Sequence, residues 1–523
     1  MIKKKYVNLF IFLFLIFSIV FPLTKMLMQV KWDGFLALIS SITFKTALIN
    51  SLSITIISTI LSLLIACFLA YTINKTNIKH KAVLKMLITI PMLIPSVSHG
   101  LGLINLFGAN GIISKQFGFD IIGFSGIVIG SIMYSFPIAF LIIDDGFKYI
   151  DNNLYDSAKV LGLNKYQIFK KVTYPYIKKP IFSSMFAVFS MIFTDYGVPL
   201  AVGGKFTTLP VFLYKEVIGL LDYSTGTMIG IFLLLPAIIS FLFDTISKDY
   251  TISNIENSNN EVSNSRVINI ILKIFTYMII TFILVVILSF VYYAFIDNIV
   301  INPHLSLKHI QYTLDYGITK FIFNSLLISI GVAILGTIIS YSAAYLTARN
   351  KGKIYNLIHI LILLSLTIPG IVLGLSYTIS YNGSIIYNTF IILILVNVIH
   401  FIASPYLMAY NAMKKINPNY EIIAKTCNIN IFNLIKDVII PCTKSTIREM
   451  FVYFFVNSMI TISAIVFLFN ANTMSLSLLI NNFEGNMMFG EAAIISLIIL
   501  FFNILLKIII YLINRKEERK KTL

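Results

Sequence analysis

The stretch Asn50–Tyr71 reads NSLSITIISTILSLLIACFLAY, and Asn324–Tyr345 reads NSLLISIGVAILGTIISYSAAY. Both begin with Asn-Ser-Leu and end with Ala-Tyr, so the two stretches align from end to end without a gap. Each is long and apolar enough to cross the roughly 30 Å hydrocarbon core of a bilayer as one helix. This agreement in sequence and position predicts that the chain contains the same membrane-spanning unit twice.

The composition of the whole chain indicates an integral membrane protein. Of its 523 residues, 58% are hydrophobic and only 12% are charged, whereas a soluble protein carries about 25% charged residues. The apolar runs are continuous rather than alternating, which favours an all-α protein over a barrel. We predict about 12 transmembrane helices, near residues 7–29, 47–73, 84–107, 121–143, 181–202, 226–246, 267–296, 321–347, 354–379, 385–410, 447–470 and 490–513.

The first apolar run follows three lysines, as the apolar core of a signal peptide would. It is longer than such a core, and no small-x-small cleavage site follows Pro22. We therefore expect it to remain in the protein as the first spanning helix.

The positive charges are distributed in alternate loops. The chain has 40 Lys and Arg against 22 Asp and Glu, a net charge of +18. Most of the cations lie at the two termini and in every second loop, which is the positive-inside pattern with both termini cytoplasmic. The excess charge therefore points to the lipid bilayer as the partner and not to nucleic acid. The three cysteines have neither disulfide nor metal-ligand spacing, so we expect no metal site.

The duplication divides the chain into two homologous six-helix halves. We assign residues 1–247 to the first half, 248–266 to a polar cytoplasmic linker rich in Asn and Ser, and 267–523 to the second half. An even number of spans per half makes the halves parallel, with a pseudo-two-fold axis along the membrane normal. A pathway for cargo is expected between them.

A cytoplasmic loop in the first half, 146–180, is too polar to span the membrane but has the pattern of two short helices. Asp151 or Asn152 can cap the first helix, and Gly162 can end it in the left-handed conformation. Asn164 can cap the second helix, and Pro175 is expected to end it. The second half repeats the pattern at 411–446, with Asn428 in the place of Gly162. Asn tolerates the left-handed bend, so we expect the turn to survive.

The first loop resembles the EAA motif of ABC importer permeases. That motif reads Glu-Ala-Ala, two residues, Leu-Gly, and a proline about a dozen residues later; here it reads Asp156-Ser157-Ala158, Leu161-Gly162 and Pro175. The second copy departs further, with Glu421 displaced by one position and Cys427-Asn428 in place of Leu-Gly. The resemblance implies the type I ABC importer fold and two loops that dock on an ATPase. The coupling residues it implies are Asp156, Ser157, Ala158, Leu161, Gly162, Phe169, Pro175, Glu421, Ala424, Asn428, Ile435 and Pro441.

A carboxylate within the fifth predicted span is the first candidate for the cargo pathway. Asp195 is followed by Gly197 and Pro199, which could break the helix, and then by Gly203 and Gly204. An intramembrane carboxylate normally faces a cavity or a partner, although a structural role in tying two helices together weighs equally. The equivalent positions of the second half are polar but uncharged. They contribute Thr461 and Ser463 to the candidate pathway.

The stretch Thr194–Asp244 resembles the fused permeases of the iron(III), thiamine and 2-aminoethylphosphonate importers, and most closely the last branch. Asp195–Pro199, Tyr214–Gly219 and Thr461–Leu468 carry this likeness. It implies 2-aminoethylphosphonate or a related phosphonate as cargo, with iron(III), thiamine or a polyamine as the alternatives. It also implies an extracytoplasmic substrate-binding (lipo)protein and two copies of a cytoplasmic ATPase.

The chain lacks the sequence patterns of an enzyme. No Walker pattern occurs, so we expect no cofactor in this chain and ATP with Mg²⁺ on the partner subunit. A secondary transporter driven by an ion gradient would share the layout of twelve helices but would carry paired ionisable residues within its spans. Only Asp195 lies clearly within one. A channel would explain neither coupling loop.

Overall fold

The computed structural model describes residues 2–114, 120–148, 150–246, 266–297 and 303–522. The predicted linker, 248–266, lies outside these residues except for Arg266, where a helix begins. The helices of the first half are α1 (Ile2–Leu15), α2 (Phe21–Leu27), α3 (Trp32–Ser40), α4 (Ile42–Lys75), α5 (Lys81–Thr89), α6 (Ser96–Phe107), α7 (Phe124–Lys148), α8 (Asn152–Val160), α9 (Lys165–Ile168), α10 (Tyr174–Phe193), α11 (Gly197–Val202), α12 (Leu209–Tyr214) and α13 (Tyr223–Ile246).

The second half follows a similar order of helices, without a counterpart of α11, and adds a short hairpin. Its elements are α14 (Arg266–Phe295), β1 (Ile296–Asp297), β2 (His304–Leu305), α15 (Lys308–Asp315), α16 (Ile318–Arg349), α17 (Lys353–Leu364), α18 (Gly370–Tyr381), α19 (Phe390–Phe401), α20 (Ala403–Lys415), α21 (Asn419–Thr426), α22 (Ile431–Leu434), α23 (Ile440–Ile460), α24 (Leu476–Gly485) and α25 (Phe489–Thr522). The two strands pair antiparallel, with Ile296 opposite Leu305. Turns of π-helix occur at Ile16–Val20, Phe169–Thr173, Lys215–Gly219 and Ile435–Ile439, and 3₁₀ turns at Ile90–Leu93 and Ser365–Thr367.

The protein is an all-α membrane protein, and its spans are less regular than the sequence suggests. Six helices of the described chain are long and apolar enough to cross a membrane: Tyr6–Leu27, Ile42–Lys75, Phe124–Lys148, Arg266–Phe295, Ile318–Arg349 and Phe489–Glu517. Three bent pairs raise this number to nine. The other three of the twelve predicted spans coincide with α10, α13 and α23, which are not among those nine. The uniform apolar runs of the sequence conceal these differences.

Two of the bends occupy equivalent places in the two halves. Lys81–Leu93 and Ser96–Phe107 meet at 99°, and Lys353–Thr367 and Gly370–Tyr381 meet at 111°. Pro95 and Pro369 stand at the breaks with φ −58° each, as non-helical residues immediately before α6 and α18. Proline cannot donate the backbone hydrogen bond that a continuous helix needs, so each span breaks there. The breaks bring helix ends into the interior of the protein.

The repeated Asn-Ser pair performs the same task in both halves. In the first half, Ser51 accepts a hydrogen bond from the backbone N–H of Leu209 (2.8 Å), and the Asn50 side chain donates to the carbonyl of Thr207 (3.0 Å). In the second half, Ser325 accepts from the N–H of Leu476 (2.7 Å). Asn324 donates to the carbonyls of Asn472 (2.8 Å) and Met474 (3.0 Å). The pair therefore fixes the segment that follows the broken fifth span to the long second span of its own half.

The first spanning helix of each half packs against the opposite half. The Tyr377 hydroxyl in α18 donates to the carbonyl of Ser18 (2.8 Å), in the helical run from α1 to α2. On the other side, the Tyr293 hydroxyl in α14 donates to the carbonyl of Asn105 in α6 (3.1 Å). The apolar core of the first half accordingly includes Val286 of α14. This exchange makes the two halves one packed body.

Candidate translocation and coupling sites

A small cavity lies where the two halves meet. Its volume is about 80 Å³, which is room for only a few water molecules. The first half contributes Ser96, Tyr134, Asp195 and Gly197, and the second half contributes His400, Phe401, Asn457, Ile460, Thr461, Ile462 and Ser463. These lining residues include a carboxylate but neither Lys nor Arg. Four of the seven predicted pathway residues therefore meet at one place, namely Asp195, Gly197, Thr461 and Ser463.

Interrupted helices form the walls of this cavity. Helix α10 ends at Phe193, and α11 begins at Gly197, so Asp195 lies in the gap. In the second half α23 ends at Ile460, and Thr461 continues in an extended conformation. Backbone without regular hydrogen bonds is tolerated at membrane depth only where it is buried in protein or lines a cavity. The two gaps are equivalent, because the alignment of the two coupling loops, continued along the chain, pairs Asp195 with Thr461.

The Asp195 carboxylate is held by backbone and side-chain donors. The backbone N–H groups of Val198 (3.0 Å) and Gly197 (3.4 Å) donate to it, and so does the Ser96 hydroxyl. The first two bonds begin α11, and the third joins α11 to α6. Asp195 thus has the helix-tying role that the sequence left open, and it also lies on the cavity wall. The cargo role remains a proposal.

Close packing explains Gly197 and identifies its counterpart in the second half. A Cβ on Gly197 would collide with Ser96 Oγ, and one on Gly370 would collide with Ser463 Oγ. The alignment of the second spans makes Ser96 equivalent to Gly370, and the alignment of the coupling loops makes Gly197 equivalent to Ser463. Each crossing of the bent and broken spans therefore combines one serine and one glycine, on opposite elements in the two halves.

Three of the predicted pathway residues do not line the cavity. Pro199 lies in the first turn of α11, while Gly203 and Gly204 form the turn that follows this helix. Gly204 has φ +56°, which favours glycine. These residues shape the break, since Gly203 N–H donates to the Pro199 carbonyl at 3.0 Å.

The prediction missed Ser96, Tyr134, His400 and Asn457. They lie in predominantly apolar spans and belong to no recognisable local motif. The internal repeat contained a signal nonetheless, because the alignment that pairs Asp195 with Thr461 also pairs Tyr134 with His400.

The first coupling loop has the predicted turn. Asp151 accepts from the N–H of Asn153 (2.9 Å) and caps α8, while Gly162 adopts φ +70°. Asn164 forms a capping box with Gln167 at the start of α9. The outer face of this loop exposes Val160 (88%), Leu161 (77%), Tyr166 (69%) and Phe169 (41%). Asp156 is also exposed and forms an ion pair with Lys159 at 3.1 Å.

The second coupling loop has the same backbone with different residues. Asn428 adopts φ +52°, so asparagine does support the left-handed bend. Asn430 accepts from the N–H of Phe432 (3.2 Å) and caps α22. The most exposed apolar side chains here are Ile422 (61%), Ile423 (53%) and Phe432 (68%). Half-buried Ile435 follows in the π turn.

Some predicted coupling residues face the protein interior. Ala158 and Ala424 are each 3% exposed and lie on the inner faces of α8 and α21. Glu421 is also turned inward, with its carboxylate 3.2 Å from Arg349 Nε. Ser157 is exposed beside Ala158 on α8.

The expectation that Pro175 ends the second loop helix is wrong. The chain continues from α9 through the π turn Phe169–Thr173 into α10, with Pro175 in the first turn of that helix. Pro441 has the same position after Ile435–Ile439. A π turn changes the hydrogen-bond register, and proline is tolerated in a first helical turn because its missing N–H needs no partner there. Each loop is therefore joined to the following span by an unbroken helical run.

Two solved structures are similar to part of the chain. One is a bacterial ABC transporter involved in the import of the acidic polysaccharide alginate, with 18% identity over 42% of this chain and 85% of that chain, and a TM-score of 0.37. The other is a bacterial alginate ABC transporter in complex with an alginate pentasaccharide-bound periplasmic protein. It has 19% identity over 47% of this chain and 94% of that one, with a TM-score of 0.40.

Two curated relatives match most of the chain, and a third matches part of it. The putative ferric transport system permease protein FbpB 1 of Haemophilus influenzae is 25% identical over 88% of this chain and 77% of its own length. The ferric transport system permease protein FbpB of Actinobacillus pleuropneumoniae is 25% identical over 94% of this chain and 77% of its own. The spermidine/putrescine permease PotC homolog of Mycoplasma genitalium is 26% identical over 39% of this chain and 70% of its own.

The model of the family described as binding-protein-dependent transport system inner membrane component matches residues 62–251 and 336–519. The two matches fall one in each half and together cover more than half of the sequence. Members of this family are multi-pass components of the bacterial inner membrane. The chain belongs to this family of transport permeases, and it carries the family unit twice.

Proposed function

We propose that this permease passes ferric iron, delivered by an external binding protein, through the junction of its halves in an ATP-driven importer. The observation that carries the choice of cargo is the Asp195 carboxylate in a junction cavity whose lining residues include neither Lys nor Arg. Two relatives that match nearly the whole chain are named as ferric permeases, which supports the same cargo.

The charge of the cavity favours a cation over a phosphonate. An anionic group would meet a carboxylate in a site of low dielectric, where like charges repel strongly. A cation would instead find carboxylate, hydroxyl and imidazole groups, all of which suit iron. The described residues contain no cluster of three His, Cys, Asp or Glu that could hold a metal. A site with so few ligands fits weak, transient binding of an ion during transport better than tight binding.

The ATPase is expected to bind the exposed apolar faces of the two coupling loops. An apolar patch on the cytoplasmic surface of a membrane protein indicates a protein interface. Leu161 and Tyr166 present such a patch in the first half, and Ile422 and Phe432 present one in the second. Two ATPase subunits, which hold ATP and Mg²⁺, would occupy these faces.

The cavity is too small for cargo to pass while the halves remain as they are. With about 80 Å³, it accepts a small ion and a few waters but provides no open channel. Transport therefore requires the halves to separate alternately on either side, which is a rigid-body motion at an interface. ATP binding and hydrolysis at the coupling loops would drive this motion.

Uptake measurements can test the cargo directly. In liposomes that contain the complete transporter and its binding protein, we expect ATP-dependent uptake of radiolabelled ferric iron. Asp195→Asn should lower this uptake at least about tenfold, the loss expected for one charge contact. The matched control is Asp33→Asn, which alters an exposed carboxylate on α3. Uptake of 2-aminoethylphosphonate or thiamine without iron uptake would overturn the iron proposal.

A further inference from the structure

Two buried cations occupy equivalent places at the ends of the long second spans. Helix α4 ends at Lys75 and α16 ends at Arg349, and the alignment of the two spans pairs these residues. Lys75 is fully buried, and the Arg349 side chain is 8% exposed. Cations are common near helix C-termini because they interact favourably with the negative end of the helix dipole. Such cations are normally exposed to solvent. Buried ones need a specific partner.

The partner in each half is one residue of the first coupling helix. Lys75 Nζ lies 3.9 Å from the centre of the Tyr155 ring in α8. Arg349 Nε lies 3.2 Å from Glu421 Oε1 in α21. Tyr155 and Glu421 are themselves equivalent in the alignment of the coupling loops. The first contact is a cation–π interaction and the second is an ion pair, yet both join the same two elements.

Neighbouring bonds extend each contact through its coupling loop. The Tyr155 hydroxyl is 2.9 Å from Thr173 Oγ1 in the π turn that leads into α10. Arg349 Nη1 donates to the Ile416 carbonyl (2.9 Å), just before α21. Lys75 Nζ has no hydrogen-bond partner among the described residues, so the Tyr155 ring is the group that holds it.

The far ends of the same spans reach the segments beyond the cavity. Helix α4 has 34 residues, a length of about 50 Å. Near its other end, Ser51 binds the backbone of Leu209 (2.8 Å), which follows the break at Asp195. In the second half α16 connects Arg349 to Ser325, which binds Leu476 beyond Thr461. One rigid helix in each half thus links the coupling loop to the segment beyond the cavity.

We propose that the Lys75–Tyr155 and Arg349–Glu421 contacts, here called the cation clamps, transmit the movement of the coupling loops to the second spans. This assignment rests on the proposed ATP-driven function. The clamp residues are positioning residues, since they contact neither cargo nor nucleotide. The two halves join the same two elements, one by a cation–π interaction and the other by an ion pair. Transmission therefore requires a contact at this position but not one particular pair of residue types.

A charge-exchange experiment on the complete complex tests the proposal. The permease is purified with its ATPase in liposomes, and ATP hydrolysis and iron uptake are measured with and without the binding protein. We expect Arg349→Glu to retain the ATPase but to lower uptake per ATP hydrolysed by about tenfold, within the usual range of coupling between sites. Arg349→Glu combined with Glu421→Arg should restore most of this ratio.

Two further variants cover the case in which Arg349→Glu does not assemble. Tyr155→Leu removes the ring face but keeps apolar bulk, and Tyr511→Leu, which changes an exposed tyrosine on α25 outside the coupling loops, is its control. We expect only Tyr155→Leu to lower uptake per ATP hydrolysed. The proposal that the clamps transmit movement would be overturned by any of three results. These are an unchanged uptake per ATP hydrolysed in an assembled Arg349→Glu complex, no recovery in the double variant, or an unchanged uptake per ATP hydrolysed in Tyr155→Leu. Failure of the ATPase to copurify with the unmodified permease would instead overturn the proposed function.

Discussion

The two halves of this permease share one backbone plan but fill its key positions with different chemistry. At the cytoplasmic end of the second span, the first half places Lys75 over an aromatic ring and the second pairs Arg349 with a carboxylate. At a neighbouring pair of equivalent positions, the ion pair lies in the first half and the aromatic contact in the second. In the first half Lys85 and Asp144 form an ion pair at 2.6 Å, whereas their equivalents in the second half, His359 and Tyr410, have ring centres 5.0 Å apart.

The comparison teaches that the repeat preserves positions of contact more strictly than residue types. An ion pair and a cation over a ring each satisfy a cation that is removed from water. A serine and a glycine can exchange places across a helix crossing because the space admits only one side chain. The cavity is the exception, since only the first half supplies a carboxylate. Recognition of cargo charge should therefore be asymmetric.

The largest expected effect comes from filling one helix crossing. Gly197→Ser would place a second side chain against Ser96 and the backbone of Val97, and overpacking of this kind costs about 1–3 kcal/mol or more. Ser96→Gly combined with Gly197→Ser reproduces the arrangement of the second half, so we expect it to recover most of the loss. Thermal unfolding of the purified protein measures both. A double variant no more stable than Gly197→Ser would contradict the equivalence of the two crossings.

An intermediate effect is expected at the turns of the coupling loops. Gly162 and Asn428 both have positive φ, a conformation that costs most side chains about 1–2 kcal/mol but costs asparagine less. Gly162→Asn should therefore preserve docking of the ATPase, whereas Gly162→Val should weaken it. Copurification of the ATPase with each variant is the measurement. Equal retention by both variants would show that docking does not depend on this bend.

The smallest effect concerns pH and is confined to the second half. His309 Nδ1 lies 3.0 Å from Glu491, and this hydrogen bond, with the nearby charge of Asp297, raises the pKa of His309 above 6.5. The pair therefore stabilises the protein at low pH, and its contribution of up to about 1 kcal/mol is lost as the pH rises through the raised pKa. The equivalent residue of the first half is Phe35. We expect His309→Phe to reduce the dependence of the melting temperature on pH between pH 6 and 8. If the melting temperature of the variant changes with pH as in the unmodified protein, another group is responsible.

The sequence could predict those features that follow from local rules or from the repeat. The caps Asp151 and Asn164 and the bends at Gly162 and Asn428 depend on neighbouring residues alone, and hydropathy with the repeat indicates two halves. Local rules did not identify the cavity residues Tyr134 and His400 or the clamp partners, although the repeat places them at equivalent positions. Each acquires its role from a partner on another span, and no local pattern marks such a residue. Pro95 and Pro369 did mark the two sharp bends, but continuous hydropathy concealed them.

The exchange of the first spans has a consequence for how the protein is made. Ser18 and Tyr377, which share a hydrogen bond, are 359 residues apart in the chain. A ribosome adds about 5–20 residues per second, so the first helix enters the membrane roughly 20–70 s before its packing partner exists. During that interval its inner face lacks the partner against which it packs in the finished protein. Biogenesis of the first half can therefore be completed only when much of the second half has been synthesised.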